Sequence, residues 1–178
     1  MSKQNGSGDD LRIERTFDAP VTLVWRLWTD PEHFKAWYGP EGASIPTATM
    51  DVRVGGPRRV CMEVHTPNGP MQMWFTGEYR EVVEHRRLVY TESMSDEHGS
   101  VQAADADAHG ATEVRVDFED LGRRTRMTLV HAGIPQDSPG AAGWEMALDQ
   151  LATQLARGQP GITPERIDDA AGDMGRDR

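Results

Sequence analysis

Apolar residues near the C-terminal end of the chain fall on one long helical stripe. Trp144, Leu148, Leu151 and Leu155 recur at three- and four-residue spacing within 138–156, as the buried face of an α-helix requires. Ser138 suits the N-cap and Pro139 the first turn. A shorter stripe, Val21, Val24, Trp25 and Trp28, predicts a helix after Asp18 and Pro20, with Asp18 as its cap. Asp30-Pro31 predicts a fresh start, a second short helix through Phe34 and Trp37 that Gly39-Pro40 ends.

Elsewhere the period is two. Leu11–Phe17 alternates as a first strand. Residues 48–54 form a short strand closed by Gly55-Gly56-Pro57. Residues 58–65 put Val60, Met62 and Val64 on one face and Arg59, Cys61, Glu63 and His65 on the other. Pro67-Asn68-Gly69 is a turn before a strand over 71–82. Residues 87–93 add another strand, and 112–118 with 125–131 make a last hairpin, bent through 120–123. Strands in uninterrupted succession predict an antiparallel sheet rather than alternating strand-helix units. A long amphipathic helix needs a broad apolar surface, which a curved sheet supplies. Any space left beneath the helix is then a pocket.

Composition narrows the function classes. A formal charge of -10 disfavours wrapping a phosphate backbone, and Arg58-Arg59, Arg86-Arg87 and Arg123-Arg124 read as solvated strand ends or turns. Nucleic acid is therefore not an expected partner. Cys61 is the sole cysteine, which excludes an internal disulfide and a cysteine-based zinc cluster. The polar start of the chain has no signal-peptide core, and no segment approaches the roughly 20 apolar residues that cross a bilayer, so a cytoplasmic protein without a membrane partner is expected. Residues 1–10 and 158–178 read as flexible ends, leaving a domain over 11–157. Within it, 96–110 is small, acidic and polar, an extended surface loop.

The landmarks, taken in order, resemble the START-like (SRPBCC) superfamily of helix-grip proteins. The closer resemblance is to the branch homologous to the C-terminal domain of the activator of the heat-shock-protein-ninety ATPase. It begins at Ile13-Glu14-Arg15-Thr16-Phe17-Asp18-Ala19-Pro20 and continues through Val24-Trp25, Trp28-Thr29-Asp30-Pro31-Glu32 and Trp37-Tyr38-Gly39-Pro40. It resumes at Gly55-Gly56, Gly77-Glu78-Tyr79 and Arg87-Leu88-Val89-Tyr90-Thr91, and closes with Thr125-Arg126-Met127-Thr128-Leu129 and Gly143-Trp144 through Leu151. The resemblance implies an α+β helix-grip fold: a curved antiparallel sheet around the long C-terminal helix, two short helices after the first strand, and a central apolar cavity. It does not imply one chemistry, since such relatives include ligand carriers, cyclase-like proteins and a chaperone-regulating domain. The acidic stretch at 96–110 departs from the simplest hairpin of this family.

With that fold, Met62, Met73, Phe75, Tyr79, Met127 and Leu129 are the strand candidates for lining a cavity. Trp144, Leu148 and Leu151 would close it from the helix, with Trp37 near an entrance. Aromatic and methionine side chains cover irregular apolar ligands without demanding fixed geometry, but the same residues also suit a solid core. Tyr79 shares a face with Phe75 and Gly77, where Gly77 would leave open volume; its hydroxyl is the best candidate for a proton donor or orienting group. Glu63 and His65 belong to the outer face, and the six histidines show no metal-ligand spacing, so no metal or other cofactor is expected. Gly55-Gly56-Pro57-Arg58 lacks the ending of a phosphate loop, and no serine nucleophile motif occurs. The expected function is binding of a small hydrophobic or aromatic metabolite. The alternatives are a cyclase- or dehydratase-like enzyme using the same cavity and a chaperone-associated interaction module; a homodimer is compatible with each.

Overall fold

In Leu11–Phe17 every second residue near its start is apolar, and Leu11, Ile13 and Phe17 are buried while Arg12 and Glu14 are exposed. The computed structural model describes residues 10–101 and 111–157. In it this strand, β1, is followed by helices α1 (Val21–Thr29) and α2 (Pro31–Phe34). Strands β2 (Ser44–Met50), β3 (Pro57–Thr66), β4 (Gly69–Val83), β5 (Arg87–Ser95), β6 (Thr112–Asp120) and β7 (Thr125–His131) come next, and helix α3 (Pro139–Ala156) closes the order. The strands form one antiparallel sheet in the order β1-β7-β6-β5-β4-β3-β2, curved around α3. This is the α+β helix-grip architecture. The expected end segments, apart from Asp10, and residues 102–110 of the acidic stretch lie outside the described residues.

Capping follows local chemistry, with one correction. Asp30 caps α2, its carboxylate accepting from the Glu32 amide at 2.9 Å, and Ser138 caps α3 by accepting from the Ala141 amide at 3.3 Å. Asp18 does not cap α1. The N-cap there is Pro20, in extended conformation and without a side-chain hydrogen bond, so Asp18 lies two residues too early. α2 is also shorter than its apolar spacing suggests, and turn backbone carries the chain to Trp37. β2 runs earlier than the predicted 48–54, because the chain folds back on itself after Met50. Gly55 there has φ +81°, and a Cβ on Gly56 would lie 2.0 Å from the Asp51 carbonyl oxygen.

The core lies between the concave face of the sheet and the helices. Trp28 stacks on Trp144 at 6.0 Å and meets Trp37 edge-on at 4.8 Å, and the Trp37 indole donates to the Leu27 carbonyl at 2.8 Å. Polar ties fix α3 across this face. Arg15 on β1 pairs with Glu145 and, at 2.6 Å, with Asp149, while the Gln150 amide donates to the Gly39 carbonyl at 2.7 Å. The helix differs along its length. Leu148 and Leu151 are fully packed, but the half that precedes them carries Gly140, Gly143 and Ala147 on the side facing the sheet. Small residues there leave the volume beneath the helix unfilled.

Candidate functional site

That unfilled volume is a cavity of about 750 Å³, within the range that takes a small organic ligand. Met62, Met73, Phe75 and Met94 line it from the sheet, and Pro139, Gly140, Gly143, Trp144 and Ala147 from α3. Ile134 and the Tyr38-Gly39-Pro40 turn complete the apolar wall. Met94 and Val101 are about half exposed, so the cavity meets solvent beside them.

The candidates from the sequence divide into two groups. Met62, Met73, Phe75 and Trp144 face the cavity. Trp37, Tyr79, Met127, Leu129, Leu148 and Leu151 do not line it; each is sealed in the core with at most 1 % of its surface exposed. Tyr79 does keep the inward face of β4, four residues on from Phe75. At that level the space is filled: its ring meets Tyr90 at 6.0 Å and the buried Arg58 lies beside it. Gly77 leaves no open volume either. A Cβ there would lie 1.8 Å from the Thr91 carbonyl oxygen, so its small size serves the close passage of β5.

One wall of the cavity is polar, and sequence reasoning missed it. Glu92 on β5 and Arg58 on β3 form a buried ion pair, Nη1 to Oε2 at 3.1 Å. In register Arg58 stands opposite Gly77 of the intervening β4, so no β4 side chain obstructs the guanidinium at that level. The guanidinium also lies over the Tyr90 ring at 4.2 Å, which offsets part of its desolvation. The Tyr38 hydroxyl is 3.5 Å from the same Glu92 oxygen, a long contact. Burial, and then the negative charge of Glu92, push the Tyr38 pKa far up, so its proton stays on. Glu92 Oε1 has no hydrogen-bond donor among the described residues.

Beside it runs a closed chain of hydrogen bonds. The Trp144 indole N–H can only donate, and it donates to His131 Nδ1 at 2.9 Å. His131 Nδ1 is therefore unprotonated, and a neutral ring carries its proton on Nε2, 2.9 Å from Thr112 Oγ1. The Thr112 hydroxyl in turn donates to the Glu92 carbonyl at 3.1 Å. Burial lowers the His131 pKa, with nearby Arg58 acting the same way against Glu92. The ring stays neutral, and its tautomer is set by its neighbours.

Among the described residues no group of three or more histidine, cysteine, aspartate or glutamate residues could hold a metal ion. Cys61 is buried in the sheet, away from the cavity wall. No described helix is long and apolar enough to cross a membrane. The geometry is that of an apolar container with one polar wall.

The family model described as activator of Hsp90 ATPase homolog 1-like protein matches residues 18–156. The chain belongs to this family. Solved structures of similar fold include a protein from Nitrosomonas europaea, 24% identical with a TM-score of 0.69, over 85% of this chain and 96% of that one. A Chromobacterium violaceum protein is 26% identical with a TM-score of 0.66, over 82% and 96% of the two chains. A protein from Silicibacter pomeroyi described as AHSA1 is 25% identical with a TM-score of 0.67, over 83% and 98%. No curated protein matches the chain. Family and fold are consistent with helix-grip proteins that hold hydrophobic ligands. As a member of the activator-homolog family the chain has the expected long helix over a curved sheet, and its cavity differs from the expected one in having a charged wall.

Proposed function

We propose that the protein binds a small apolar or aromatic metabolite in the cavity beneath the N-terminal half of α3. The observation that carries this reading is the row of small residues on that half of the helix. Gly140, Gly143 and Ala147 sit where larger side chains would close the space, while methionines on the opposite wall present a deformable apolar surface. Moving an apolar ligand from water onto that surface supplies the affinity.

Gly143 gives a direct test, because a Cβ placed on it meets no atom within 4 Å. Gly143→Leu puts a side chain into the cavity and removes a glycine from a helix interior, a gain of about 0.8 kcal/mol in helix propensity. The variant is expected to melt at or above the wild-type temperature and to bind a neutral hydrophobic dye such as Nile red at least tenfold more weakly. Absence of saturable dye binding by the wild type, or equal binding by the folded variant, would overturn the proposal.

A further inference from the structure

Around Glu92 most donors of the cavity wall are already committed to protein partners. The Trp144 N–H is spent on His131, the His131 N–H on Thr112, and the Thr112 O–H on the Glu92 carbonyl. Arg58 does not line the cavity: Nη1 donates to Glu92, and Nη2 is buried without a hydrogen-bond partner among the described residues. Next to the carboxylate, the donor with slack is the Tyr38 hydroxyl, held at 3.5 Å. Against these stands an acceptor: Glu92, 7% exposed, lines the cavity and has no described donor on Oε1.

A ligand whose polar end is a carboxylate or phosphate would, at this wall, bring its charge against that of Glu92. A cationic end would find Glu92 already paired with Arg58, whose positive charge lies 3.1 Å behind it. A neutral hydroxyl fits both open positions: it donates to Glu92 Oε1 and accepts from Tyr38. From this inventory we infer that the cavity selects ligands with an apolar body and a neutral hydrogen-bond-donating head, a phenol or alcohol, and rejects anionic amphiphiles such as fatty acids. The inference rests on the cavity-binding reading above and specifies the ligand class for it.

A matched series on the wild-type protein separates the two. 4-Pentylphenol, 4-pentylanisole and 4-pentylbenzoate share one body and differ at the head, where the ether retains the oxygen without its proton. Titration calorimetry at pH 7.5 is expected to rank the phenol at least tenfold tighter than the anisole, with the benzoate weakest. Similar affinities for phenol and anisole, or a benzoate as tight as the phenol, would overturn head-group selection while leaving cavity binding intact. Failure of all three to bind would overturn cavity binding and the selection with it. Tyr38→Phe supplies a check that spares the ion pair. It removes the donor to the ligand oxygen, and is expected to weaken the phenol several-fold while leaving donation to Glu92; an unchanged phenol affinity would remove Tyr38 from the recognition.

Discussion

Arg58 and Glu92 are both almost wholly buried, and neither could be there alone. Removing two charges from water costs several kcal/mol for each ion, which their mutual attraction repays only with good geometry and further partners. Arg58 has such partners in Glu92 and the faces of Tyr90, Phe34 and Tyr38. The pair therefore acts chiefly as a constraint on which strands flank β4, with little net stabilisation. Breaking it on one side is a different matter. Glu92→Ala leaves a buried guanidinium without its counter-ion and is expected to cost about 3–5 kcal/mol. Replacing both partners in Arg58→Met/Glu92→Leu removes the unpaired charge and is expected to recover most of that loss. Urea denaturation measures both. A double variant no more stable than Glu92→Ala would mean that the packing of these side chains, rather than their charge, carries the cost.

Among the elements, β4 is the most tightly specified at a single position. Gly77 tolerates no larger residue without moving backbone, because the obstacle at 1.8 Å is the Thr91 carbonyl oxygen on β5. Gly77→Ala is expected to destabilise by about 2–3 kcal/mol, as overpacking of a rigid site does; a change below 0.5 kcal/mol in chemical denaturation would show that the strands give way freely. This position also marks where the sequence stops being legible. β1, β7 and α3 follow from periodicity and capping alone, since each buries one face in a simple repeat. Gly77 cannot be read that way, because an open volume and a close backbone contact both call for glycine. The cavity shows the same limit. Alternation groups Met62 with Val60 and Tyr79 with Phe75, but the depth at which α1, α2 and the second half of α3 fill the space is a tertiary quantity. A signal for the polar wall was nonetheless present. Arg58 is in phase with the buried Val60 and Met62, and Glu92 with the buried Leu88 and Tyr90. Opposite charges on the inward phase of strands on either side of β4 point to an internal pair.

At the scale of the whole molecule, titrating groups act in the same direction on stability. Burial holds the His131 pKa below its ordinary 6.5. Above pH 6.5 neither the folded nor the unfolded chain protonates this ring. As the pH falls below 6.5 the unfolded chain takes up the proton first, so stability declines until the folded pKa is reached. Protonation in the folded state would set an Nδ1–H against the Trp144 N–H and release the contact from β7 to α3. The groups around the ring are Glu92, which raises its pKa, and Arg58, which lowers it; their pairing leaves burial in control. Asp117 adds a second, lower stage. Burial would raise its pKa, but hydrogen bonds from Arg87 and Arg115 outweigh that and hold it below 3.8. Its contribution is complete above pH 3.8 and is lost as the pH falls through the folded pKa. Denaturant titrations across pH 3–8 are therefore expected to show stability level above about pH 7 with respect to these groups and falling in two steps below it. His131→Gln, whose side-chain oxygen can still accept from Trp144, should flatten the upper step and leave the lower one. An upper step of the same size in the variant would show that His131 is not the group that couples this helix contact to pH.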